Sequence, residues 1–412
     1  MVTRKWGTNA GRYIALWRGC FCLNTCSLER KTIKHLASIL ILACTMLCSV
    51  PSRAEPWPDQ QSLCSPEHEI QWRGGTLWLE NDLFAGTDRN YTNGVALALV
   101  SHDMEGKLKP ECLPWALGLY TRFLGWADPR FWRRAGTESA TQNIVMRAGQ
   151  LMYTPGDNAR TDLISDDRPY AGLLYMSMAW NRRVHPQDAT YDMLDVRELT
   201  LGVIGPWSFA EQSQNLVHRA RGIDRFNGWG NQLRNEPAFQ LSLERKFKAY
   251  ASGAIKPGWG SDLVGNYGLR FGNIKTEASA GVELRAGWNI PNDFGGYALR
   301  PGAENRPPSA AAKLRTAQSK STTAPRPGTH VFINLEGKAV GWDFSLDGNL
   351  FNSSHSVSRR PWVGQAVIGI SSQWIISGHG VRLALMRVWR TREFNEQIDR
   401  HAFGSIALSF EI

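Results

Sequence analysis

Past residue 54 the sequence has no apolar run long enough to cross a bilayer as a helix, which takes roughly 20 residues. Any crossing there must be made by strands. Cysteine is nearly absent from the same region. Five of the seven (Cys20, Cys22, Cys26, Cys44 and Cys48) precede residue 54, and only Cys64 and Cys112 follow. In an exported chain that pair is expected to form one disulfide, with two unpaired thiols as the alternative. Excess charge is also missing. Eight of the 47 basic and one of the 37 acidic residues lie in 1–54, so the formal +10 falls to +3 beyond it, and a nucleic-acid partner is not indicated. There is no Gly-x-Ser-x-Gly elbow and no His-Glu-x-x-His, so neither a serine nucleophile nor a zincin has a local signature.

What the N-terminus does have is a targeting pattern. Arg30, Lys31 and Lys34 precede a short apolar run over 36–50, and Ser52-Arg53-Ala54 forms a small-residue exit before Glu55-Pro56. These features read as a secretory signal peptide over 1–54, with an uncleaved anchor as the alternative. The exported part is then 55–412.

That part is patterned for strands. Val331, Ile333 and Leu335 alternate with Asn334, Glu336 and Lys338; Val282, Leu284, Ala286 and Trp288 alternate with Glu283 and Arg285. One apolar and one polar face fits a half-buried soluble sheet, or a wall between lipid and a wet lumen. Aromatics near segment ends (Tyr91, Tyr153, Trp180, Tyr250, Trp288, Trp374, Trp389) favour lipid, because such rings anchor at membrane interfaces. The terminal segment also sets Ile406, Leu408, Phe410 and Ile412 on one face, as a closing barrel strand does. Twelve strands are predicted, at about 75–82, 91–101, 142–153, 170–181, 194–205, 237–250, 259–273, 276–289, 329–342, 361–375, 378–392 and 402–412. The expected fold is all-β, a twelve-stranded antiparallel transmembrane β-barrel in the outer membrane of a Gram-negative cell, and a soluble β-sandwich is the alternative. Lipid favours closure because it leaves no water to satisfy a sheet edge.

With the N-terminus in the periplasm, loops 83–90, 154–169, 206–236, 343–360 and 393–401 fall outside, and 102–141, 182–193 and 290–328 inside. Residues 296–328, rich in Pro, Ala, Ser and Thr, read as a disordered periplasmic insertion. One outer loop predicts a short helix over 209–221. Ser208 and Glu211 make a capping box, Gly222 a stop, and Phe209, Leu216, Val217 and Ala220 an apolar stripe opposite Glu211, Gln214, Asn215 and His218.

Two places could carry chemistry. The first hairpin, Glu80-Asn81-Asp82 with Thr92-Asn93-Gly94, gathers carboxylate, amide and hydroxyl oxygens suited to Ca²⁺, although such loops are more often plain turn chemistry. His218 on the outer helix could take a proton from water, with Asp224 six residues on to orient it or hold a cation. A solvated surface histidine is the alternative.

Several ordered boxes resemble one family. They are Glu80-Asn81-Asp82-Leu83-Phe84, Asp88-Arg89-Asn90-Tyr91-Thr92-Asn93-Gly94, Asp167-Arg168-Pro169-Tyr170-Ala171-Gly172, Gly202-Val203-Ile204-Gly205-Pro206, Gln214-Asn215-Leu216-Val217-His218-Arg219 and Gly228-Trp229-Gly230-Asn231-Gln232-Leu233. Together they are similar to the lipid A 3′-O-deacylases of the outer membrane. The resemblance implies a Ca²⁺-dependent hydrolase that removes an acyl ester from lipid A, with its site between the barrel wall and an outer-loop helix. It places the family's catalytic base on His218, its Asn-Asp pair on Asn81 and Asp82, its hydroxyl on Thr92, and its following acidic residue on Asp224. A Glu can occupy that last position in the family, and Asp reaches less far. The same resemblance implies Ca²⁺ near Asp82, Asn81 and Asp224, lipid A or lipopolysaccharide as substrate, insertion by the barrel-assembly machinery, and a monomer. Arg89, Arg168, Arg219 and Arg225 near the outer rim are candidates for lipid A phosphates. A phospholipid esterase of the same fold and a non-catalytic barrel or porin are the alternatives.

Overall fold

In the strands with a clear alternation the apolar face points outward and the polar face inward, the reverse of a soluble sheet. Val331, Ile333 and Leu335 are exposed while Phe332 and Glu336 between and beyond them are buried; Val282 and Leu284 are exposed while Glu283 and Arg285 are buried. A soluble sandwich would bury the first set, so the alternation identifies a wall facing lipid around a polar lumen.

The computed structural model describes residues 70–82, 90–105, 113, 115–128, 140–184, 191–252, 258–295, 326–398 and 400–411. The expected signal peptide, the Cys64–Cys112 pair and all but the end of the 296–328 insertion lie outside the described residues. The barrel strands are β1 (Trp72–Asn81), β2 (Asn90–Ser101), β3 (Thr141–Thr154), β4 (Ala171–Val184), β5 (Met193–Ile204) and β6 (Glu236–Ser252), followed by β7 (Trp259–Gly272), β8 (Lys275–Trp288), β9 (Gly328–Asp343), β10 (Trp362–Ile376), β11 (His379–Arg390) and β12 (His401–Glu411). Each pairs antiparallel with its neighbours in sequence. β1 closes the ring on β12, from Gly74 opposite Glu411 to Asn81 opposite Gly404. All twelve predicted strands are present, and the barrel is closed and twelve-stranded.

Lumen charges are neutralised in place, as burial requires. Arg285 donates to both Asp262 oxygens at 2.7 and 2.6 Å, Arg382 meets Asp293 at 2.7 Å, and Arg147 meets Glu198 at 3.2 Å while stacking on Trp78. These ion pairs lie on the lumen side of the wall.

Among the described residues three α-helices decorate the connections: α1 (Trp115–Ala127) between β2 and β3, α2 (Ala210–Arg221) between β5 and β6, and the single turn α3 (Phe344–Asp347) between β9 and β10. Strand direction puts α2, α3 and the β1–β2 hairpin at one end of the barrel, and α1 at the other. Among the described residues no helix is long and apolar enough to cross a membrane.

Candidate functional site

The hairpin residues separate by face. Leu77 and Leu79 of β1 are exposed while Trp78 and Glu80 are buried, so the alternation sets Asn81 on the outer surface of the wall. Asp82, one step past the strand, is fully buried. Asn81 lies opposite Asn93 of β2, and Asn93 lies opposite Met152 of β3. The β2–β3 register shifts between Tyr91 and Asn93, which places Thr92 in a bulge. That bulge turns Tyr91 inward onto Tyr153 and Phe403, and leaves Asn93 outward.

Helix α2 lies on that same outer surface, chiefly over β3 and β4, one strand further round than the hairpin. Its start is bolted down. Gln150 of β3 donates to the Ser208 carbonyl at 2.6 Å. A Cβ on Gly172 would come within 2.1 Å of the Ser208 hydroxyl and 2.4 Å of the Ala210 methyl, so only glycine admits the helix this close. The expected capping box is absent. Ser208 instead ends a 3-10 turn, Pro206–Ser208, and the N-cap is Phe209 in a left-handed conformation (φ 58°) with no side-chain cap. The run Pro206-Trp207-Ser208 turns before the helix can begin, and this displaces Ser208 from the capping position. Gly222 does end the helix, at φ 66°.

The helix also sits opposite to ordinary amphipathic packing. Ala210, Gln214 and His218 face the wall and are buried, whereas Leu216 is exposed. In lipid the apolar stripe can point away from the protein, which frees the polar face for the wall. Gln214 accepts from the Trp229 indole at 2.7 Å, and Trp229 packs with Met152, Tyr170, Ala210 and Phe226. His218 stacks edge-on to Phe226, and its Nδ1 lies 2.6 Å from the carbonyl oxygen of Asp224. His218 thus meets Phe226, which shares a buried cluster with Met152, and Met152 lies opposite Asn93, and Asn93 opposite Asn81, in the ladder. Met152 and Asn81 are two strand spacings apart, roughly 10 Å.

Asp224 departs from expectation. Its main chain, not its carboxylate, holds His218, and its side chain is exposed. Arg168 departs too. It is buried in a 3.0 Å pair with Glu393 and lies over the Tyr153 and Phe394 rings, so it braces two loops instead of meeting solvent. Burial alone would raise the Glu393 carboxyl, but Arg168 and Arg390 outweigh it and hold the group well below the usual carboxylate range. Arg219 and Arg225 are exposed, and Arg89 lies outside the described residues. Among the described residues no three His, Cys, Asp or Glu side chains converge as a metal cluster.

Three positioning residues had no signal of their own in the sequence: Gln150, Gln214 and Trp229. Gln214 and Trp229 lie inside the quoted boxes, and Gln214 shares His218's face by its spacing of four. Much of the box similarity thus encodes the seat of the helix. Tyr170, for example, accepts the Leu233 amide at 2.9 Å, and a Cβ on Gly228 would strike its ring.

Comparison with known proteins agrees with this architecture. No curated protein matches the chain. Among solved structures it is similar to LpxR from Salmonella typhimurium, at 17% identity and a TM-score of 0.56, over 82% of this chain and 100% of that one. The β domain of the Bordetella autotransporter BrkA matches at 8% identity, with a TM-score of 0.41, over 84% of this chain and 100% of that one. The family model for outer membrane protein LpxR matches residues 40–412. The chain belongs to the outer membrane protein LpxR family.

Proposed function

We propose that this outer-membrane barrel hydrolyses the 3′-linked acyl ester of lipid A. One observation carries the reading: the buried face of α2 holds His218 against the lipid-facing side of the wall, on the same surface as Asn81 and Asn93. An ester embedded in a leaflet would approach this surface sideways, without entering the lumen.

A carbonyl can only accept, so His218 Nδ1 donates to Asp224 and the ring's lone pair lies on Nε2. Nε2 then takes a proton from water as the oxygen attacks the ester carbonyl, and the products are a fatty acid and the sugar hydroxyl. That main-chain contact fixes the tautomer, and the edge-on contact with Phe226 helps to orient the ring. Asn81 and Thr92 position the ester.

The hairpin carries oxygen donors of the kind Ca²⁺ takes: the buried carboxylate of Asp82, next in sequence to Asn81, and the amides of Asn81 and Asn93, which lie opposite one another in the β1–β2 ladder. When bound, the ion would supply positive charge beside the carbonyl, the type of stabilisation whose loss typically costs ~10²–10³ in rate. The exposed Arg219 and Arg225 lie on the rim where lipid A phosphates would sit.

The test is mass spectrometry of lipid A from cells with and without the protein. Loss of the 3′-linked chains only in its presence supports the proposal. Unchanged lipid A with altered phospholipids would transfer the activity to a phospholipid ester.

A further inference from the structure

The connection between β2 and β3 carries α1, whose thirteen residues the proposed chemistry does not use. At 1.5 Å per residue it is about 20 Å long, too short to cross a bilayer. One side of it packs on the outside of the wall. Leu117, Tyr120 and Leu124 cluster with Ile144 of β3 and Trp180 of β4. The Tyr120 hydroxyl donates to the Arg197 carbonyl at 2.8 Å, and Asp128 beyond the helix pairs with the Arg197 side chain at 2.8 Å.

The opposite side is apolar as well. Trp115, Leu119, Arg122 and Trp126 follow at spacings of four, three and four, which is one stripe. Trp115, Leu119 and Trp126 are 83%, 62% and 79% exposed. A helix bathed in water does not display such a stripe without a partner.

The rest of the barrel shows what the partner is. At this same end four other strands carry their own exposed aromatics: Tyr250 on β6, Trp259 and Trp288 opposite one another on β7 and β8, and Trp374 on β10. They form an interfacial girdle. On β3, β4 and β5 the exposed large apolar side chains among the described residues, Met176 and Leu201, lie in the other half of the wall. Where those strands lack girdle aromatics, α1 covers them and presents Trp115 and Trp126 instead.

We propose that α1 is an interfacial membrane helix, lying in the headgroup zone of the phospholipid leaflet at its end of the barrel. Trp115, Leu119 and Trp126 enter the acyl boundary, and Arg122 on the same stripe reaches a lipid phosphate. The girdle is thereby completed by a helix where the strands do not complete it.

The full exported chain, in vesicles of phosphatidylethanolamine and phosphatidylglycerol, tests this. A benzophenone amino acid replaces Leu119, and separately Trp126, with Leu284 of the outer wall as positive control and Ile398, an exposed loop residue, as negative control. Heat-modifiable migration reports folding of each. On irradiation, Leu119 and Trp126 should gain the mass shift of one phospholipid, in yield comparable to Leu284, while Ile398 should not. If Leu284 gains lipid and the folded α1 probes gain none, or crosslink to another protein, the proposal is overturned. Should either α1 substitution prevent folding, the other decides.

Discussion

The Nδ1 atom of His218 lies 2.6 Å from the main-chain carbonyl oxygen of Asp224, six residues along the chain. The contact spans the left-handed Gly222 that ends α2, so the helix stop and the orientation of the imidazole are one feature of the backbone.

Because the carbonyl makes that contact, Asp224→Ala retains it. Deacylation by this variant is expected to fall by less than about tenfold, under ~1.4 kcal/mol. A loss of ~10²–10³, measured as kcat/KM, would show that the carboxylate itself meets the ion or the reacting ester.

Gly172→Val should detach the helix from the wall. Its side chain would overlap Ser208 and Ala210, a clash of the kind that typically costs about 1–3 kcal/mol. The expected outcome is loss of deacylation with heat-modifiable barrel migration retained, because β4 keeps its ladder partners. Full activity in the variant would mean that the seat of α2 is not needed.

Arg168→Ala removes one partner of a buried ion pair and should lower stability by about 3–5 kcal/mol. The sign of its pH dependence follows from Glu393. With its folded carboxyl held low, the pair's contribution is fully present above the unfolded Glu value of about 4.3 and declines as pH falls below it. The difference between wild type and variant, read from urea midpoints, should be constant from neutrality to about pH 5 and shrink in more acid. If the difference is small at neutral pH, Arg168 is not the brace described here.

The twelve strands of the barrel were legible in the sequence; the orientation of its parts was not, and Tyr91, Tyr153 and Trp180, which read as interfacial rings, are buried. A period-two pattern is strong when each strand has lipid on one side and a charged lumen on the other, as Val282 to Arg285 show. The same solvent reversal hid how α2 packs. In water the Leu216 face would be buried, but here Gln214 and His218 take that place. A main-chain acceptor such as the Asp224 carbonyl has no residue-type signal at all. Helix α1 is apolar on both sides, so it offers no amphipathic period to detect.

Asp82→Asn keeps the shape of the hairpin carboxylate and removes its charge. If the buried carboxylate holds Ca²⁺, this variant should lose ~10²–10³ in rate, and a chelator should silence wild type to the same degree. Activity that survives both treatments would remove Ca²⁺ from the account.

The central claim is that His218 is the base for hydrolysis of a lipid A ester at the outside of the wall. Its most direct test is mass spectrometry of lipid A from cells carrying His218→Ala, with barrel folding confirmed by heat-modifiable migration. The account predicts lipid A that keeps its 3′-linked acyl chains, in a protein as abundant and as folded as wild type. Release of those chains at the wild-type rate by the variant would contradict it.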